Sequence, residues 1–149
     1  MRKAPVVVAM LVVGAQAALA ITGLEAIKQR KELMKADGAA TVRLVRMLQG
    51  KAPFDLAAVQ QSLKTFQDAA SKEPALFPPD SKTGDDTEVL PVLWEDDNMA
   101  DLNARFKKLG ADATAALASI KDEASFKAAI PSVLDNCGGC HEKYKSGEK

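Results

Sequence analysis

Apolar and small residues recur every three or four positions along most of this chain, the spacing of a helix with one buried face. From Leu24 the stripe passes through Ile27, Met34, Gly38, Thr41, Val45 and Leu48 and stops at Gly50, which predicts a first long helix. After Lys51-Ala52-Pro53-Phe54, Asp55 is placed to cap a second helix carrying Leu56, Val59, Leu63 and Phe66 on one face. A third carries Met99, Leu102, Phe106, Leu109, Ala113, Leu117 and Ile120. The fourth starts near Glu123 and aligns Phe126, Ile130, Val133, Cys137, Cys140 and Tyr144, with Pro131 expected to bend it or to mark its true start. No stretch alternates with period two for long enough to predict a strand.

Four singly striped helices joined mostly by short loops predict an all-α fold, an antiparallel up-down-up-down four-helix bundle. The connection from about residue 71 to residue 98 breaks the pattern. It is rich in proline, aspartate and glycine and holds the single tryptophan, Trp94. In this topology the connection lies at the end of the bundle where the fourth helix finishes. A loop of that length usually serves a function, and here it reads as a lid in which Leu76, Phe77 and Trp94 cover whatever binds at that end.

Residues 1–20 form a segment of their own. Arg2-Lys3 precedes the apolar run Val6 to Val13, and Ala18-Leu19-Ala20 supplies small residues for cleavage after Ala20, with Ala17 as the other candidate. The expected division is a cleaved signal peptide at 1–20 and one helical domain at 21–149, exported to the periplasm with no membrane insertion after cleavage. Loss of Arg2 and Lys3 shifts the balance of 20 basic and 20 acidic residues to a net charge of −2. That balance argues against a general nucleic-acid binder.

The chemistry is concentrated in Cys137-Gly138-Gly139-Cys140-His141, which contains both cysteines and the only histidine. C-x-x-C-H is the attachment pattern of c-type haem: each thiol adds across a haem vinyl group and the adjacent imidazole becomes an axial iron ligand. Two intervening residues put the thiols about one helical turn apart, so that both reach one edge of the macrocycle. Other uses of the motif fit less well. A thioredoxin-like pair should follow a strand in a βαβ unit; a zinc site would have to take its fourth ligand from carboxylates; a disulfide within one helix is strained. A helical module using the two cysteines as a redox disulfide stays open on the residues alone. There is no second histidine, no nucleophile with its base and no phosphate loop, so an enzyme is not expected.

Taken together, residues 27–35, the Gly50 to Asp55 turn, Pro91-Val92-Leu93-Trp94 and the run from Cys137 to Tyr144 resemble the class II cytochromes c, the family of cytochrome c prime. The resemblance covers the expected mature chain. It implies one covalent haem c on Cys137 and Cys140, His141 as the proximal ligand, and Met34 at the position facing the iron, as in the low-spin Met/His members closest to this pattern. Lys145 departs from the arginine that many members have after the tyrosine.

Met34 decides what such a protein would do. With His141 and Met34 both on iron, the chain is expected to carry single electrons; with Met34 off the iron, it would bind small gases such as NO or CO. Arg30 and Lys31 are candidate partners of the haem propionates, and Trp94 and Tyr144 candidate pocket residues. Lys28, Arg30, Lys31, Lys35, Lys143, Lys145 and Lys149 form a basic rim suited to an acidic redox partner. Either a monomer or a homodimer is compatible with these features.

Overall fold

The computed structural model describes residues 21–147, so the expected leader and Lys149 lie outside the described residues. The architecture is the four-helix bundle: α1 (Gly23–Leu48), α2 (Leu56–Lys72), α3 (Asn98–Ser119) and α4 (Glu123–Tyr144). Among the described residues β pairing is limited to one isolated bridge, between Val89 and Lys145. No described helix is long and apolar enough to cross a membrane.

Local chemistry sets the helix ends. Thr22 caps α1 by accepting from the Glu25 amide, and Gly50 turns the chain out at φ +68°, a conformation that side chains with a Cβ resist. Asp55 caps α2 through the Ala58 amide. Asp122 and Ser125 form a reciprocal capping box at the start of α4. That cap places the true start at Glu123, so Pro131 sits inside a continuous helix rather than marking its beginning.

The core is divided. Away from the chain ends, Ala40, Leu44, Met47, Val59, Leu63, Phe66, Leu109, Ala113, Phe126, Ile130 and their neighbours pack into one cluster drawn from all four helices. Fully burying a side chain such as Phe66 or Phe126 contributes roughly 1.5–3 kcal/mol. Met47 belongs to this cluster, remote from the motif at the end of α4. At the other end a smaller cluster holds Leu93, Leu102, Phe106 and Tyr144, and α1 meets α4 only sparsely.

The long connection closes that sparse end. It contains three short 3₁₀ turns, Glu73–Leu76, Pro79–Ser81 and Pro91–Trp94. The Gly23 amide donates to Asp80 at 2.9 Å, and a Cβ at Gly23 would lie 2.2 Å from the Asp80 carbonyl oxygen, so only glycine lets the connection sit so close to α1. At the far side the Leu90 amide donates to the Tyr144 carbonyl and the Ser146 amide to the Glu88 carbonyl.

Candidate functional site

Where α1 and α4 diverge, a largely apolar cavity of about 880 Å³ opens between α1, α3, α4 and the connection. Its size and lining suit a cofactor-sized ligand. Cys137, Cys140 and His141 line it from α4, and Met34, Gly38 and Thr41 line it from α1. The stripe read along α1 therefore has two destinations. Ile27 is buried, Met34 is half-buried, and Gly38 and Thr41 face the cavity, while the residues that bury into neighbouring helices are Ala40, Leu44 and Met47. Leu24, expected to start the stripe, is 56% exposed.

The thiols are held by neighbours on two helices. The Thr41 side chain faces Cys137 and partly offsets the rise in its thiol pKa. Arg105 on α3 donates to the Gly139 carbonyl at 2.8 Å, gripping the backbone between the cysteines. Burial pushes both thiols above the ordinary cysteine range, whereas a reactive dithiol pair is served by lowered values. Partial desolvation, with Lys145 nearby, pushes His141 down and favours the neutral imidazole that a metal requires. Met34 and Cys140 both pack on the small cluster of Leu93, Leu102, Phe106 and Tyr144.

The other expected pocket residues divide. Tyr144 lines the cavity and sends its hydroxyl to Asp101 at 2.5 Å. Arg30 is buried, but its guanidinium donates to the Leu76 and Ser81 carbonyls and to the hydroxyls of Ser81 and Thr87, and stacks 4.7 Å from the Phe77 ring centroid. Those donors bind the connection to α1, while Arg30 and Lys31 both stand among the residues that line the cavity. Lys31 likewise reaches the Asp85 carbonyl. Trp94 is not among the lining residues: its indole donates to the Phe77 carbonyl and Lys82 sits over its face, while its neighbour Leu93 takes the wall position. Of the expected lid, Phe77 lines the cavity and Leu76 is buried but is not among the lining residues. The basic rim is also not a uniform patch, because Lys31, Lys143 and Lys145 lie against Asp85, Asp101 and Glu88.

Arg105, Asp37 and Glu73 are lining residues that the sequence analysis does not mark. Arg105 pairs with Asp101 four residues earlier, a helical spacing that is visible in the sequence. Asp37 and Glu73 are buried carboxyl groups in the cavity wall, and no periodicity marks them.

Residues 25–145 match the family model described as Cytochrome C'. This chain belongs to the cytochrome c′ family. It is 49% identical over 137 residues to a cytochrome c′ of Rhodopseudomonas palustris, covering 92% of this chain and 91% of the relative. It is 35% identical to a cytochrome c-556 of Agrobacterium tumefaciens over 80% of this chain and 95% of that protein. A solved structure of cytochrome c′ from Rhodopseudomonas palustris superposes with a TM-score of 0.79 at 50% identity, covering 83% of this chain and 98% of the other. The chain is thus a c-type cytochrome with covalently bound haem c. The cavity fits that group: two thiols, an imidazole and a thioether meet on its walls. A Cβ at Gly38 would meet nothing within 4 Å, so the α1 face of the cavity is open there.

Proposed function

We propose that this cytochrome carries single electrons in the periplasm, after export directed by residues 1–20. Cys137 and Cys140 would hold the haem through thioethers, and His141 and Met34 would supply the two protein ligands to its iron. The observation that carries the reading is the convergence of Met34 from α1 and His141 from α4 on one cavity. When bound, haem would supply the one-electron couple, and ligation by a thioether and an imidazole favours the ferrous state. Met34 would close the site against added ligands, and His141, kept neutral, would be available to the iron from α4. Arg105 fixes the motif backbone through the Gly139 carbonyl, so little rearrangement is needed between oxidation states. Arg30 and the connection exclude water from one flank.

A second reading draws on the 49% identity to a protein named cytochrome c′. In it Met34 stays off the iron and the open position takes NO or CO. Carbon monoxide added to the reduced protein separates the two. With Met34 ligated, the visible spectrum changes slowly and incompletely, and Met34→Leu makes the change fast and complete. A fast, complete change in the unaltered protein overturns the electron-carrier reading in favour of gas binding.

A further inference from the structure

The cavity wall contains two carboxyl groups that none of the roles above uses. Glu73 is fully buried (0% exposed) and Asp37 nearly so (8%). Among the described residues, no hydrogen-bond donor reaches either Oε of Glu73 or Oδ1 of Asp37. Asp37 lies about one turn beyond Met34 on α1 and Glu73 opens the first 3₁₀ turn after α2, yet both line the cavity that holds the thiols.

Their surroundings give little support to two negative charges. Asp68 on α2 faces Asp37 and raises its pKa further, and the two carboxyls repel each other. On α1, Arg30 acts on Glu73, but its donors are committed to Leu76, Ser81 and Thr87. On α4, Cys137 and Cys140 both sense Glu73, and Cys137 also senses Asp37; Arg105 on α3 faces Cys140. Burial, with these neighbours, pushes Asp37 up to about 7 and Glu73 up to about 8. An ionised carboxylate without donors is costly to bury, and the usual answer is to take up a proton.

Haem on Cys137 brings a charge that changes with oxidation state next to this pair. A ferric centre favours an ionised carboxylate nearby, and reduction withdraws one positive charge. We propose that Glu73 and Asp37 form a proton-binding site that takes one proton from solvent for each electron the haem accepts. The electron comes from a one-electron donor, and the carboxylate is converted to its acid by a solvent proton, so the net charge inside the cavity wall is the same before and after. On oxidation the proton returns to solvent. The two carboxyls interact, so the site titrates as a pair. This rests on the haem attachment proposed above and holds with either sixth ligand.

The midpoint potential of the haem-loaded protein, measured from about pH 5 to about pH 9, tests the site. The expected slope approaches one proton per electron, a tenfold shift of the redox equilibrium per pH unit, which is about 59 mV for a one-electron couple. The double variant Glu73→Gln, Asp37→Asn should flatten that slope while its haem stain and visible spectrum stay as in the parent. An unchanged slope in the variant overturns the proposal and assigns the protons to other groups. If the variant does not accumulate, the redox-difference infrared spectrum of the unaltered protein decides. A protonated-carboxyl band gained on reduction supports the site, and its absence overturns it. Failure of attachment would be seen separately, as loss of haem stain after denaturing electrophoresis.

Discussion

The two ends of this bundle use the same four helices differently. At the end remote from the termini, Leu44, Leu63, Phe66, Ala113 and Phe126 close the space between helices with side chains alone. At the other end Leu102, Phe106 and Tyr144 form a small cluster beside a cavity, and the long connection does the closing. One stripe on one helix can thus serve a neighbouring helix along half its length and a cofactor along the rest. The packed half is closed by its own side chains; the other half shapes a cavity for a cofactor.

The strongest way to break that contrast is to prevent attachment. In Cys137→Ser, Cys140→Ser, haem stain is lost altogether. Amide exchange should then accelerate most around Leu102 and Tyr144, while amides around Phe66 and Phe126 keep their protection. Equal loss at both ends would show that the remote half has no independent stability. Phe126→Ala tests the packed end directly. Phe126 is fully buried and its ring centroid is 5.6 Å from that of Phe54, so truncation leaves a cavity and costs about 3–5 kcal/mol. The cost should be the same in haem-loaded and haem-free protein by denaturant titration. The volume-conserving change Met34→Leu should cost less than about 1.5 kcal/mol and alter the haem spectrum instead.

This division also explains what could be read in the sequence. Helix ends were legible because they rest on local chemistry: Gly50, Asp55 and the start at Glu123 carry their signals within a few residues. C-x-x-C-H was legible because the spacing itself is the chemistry. Residues whose role depends on distant partners were not. Arg30 has the composition of a surface or ligand-binding residue, and only the fold brings Ser81 and Thr87 to its guanidinium. Trp94 and Leu93 are adjacent, and the 3₁₀ turn that points one into the wall and the other at Phe77 has no period to detect. The basic rim rests on where Arg30 and the lysines fall along the chain, whereas tertiary structure sets Glu88 against Lys145.

The smallest expected effect concerns the polar seam that joins α3 to the end of α4. Oδ2 of Asp101 accepts from the Tyr144 hydroxyl at 2.5 Å, from Arg105 Nε at 2.8 Å and from Lys143 Nζ at 3.1 Å. These contacts, led by Tyr144 and then Arg105, hold the Asp101 carboxyl well below the usual carboxylate range. A carboxyl depressed in the folded state adds stability above its unfolded value, near 3.8, and loses it as pH falls further. Asp101 is about a third exposed, so solvent screens the gain and Asp101→Asn should cost only about 1 kcal/mol at neutral pH. The deficit should shrink as pH drops below about 4, because the parent loses the same charge by protonation. Haem should remain attached throughout, since Arg105 still grips the Gly139 carbonyl. A deficit that persists undiminished in acid would mean that Asp101 acts through shape rather than charge. The cavity end would then be held by packing of the same kind as the remote half.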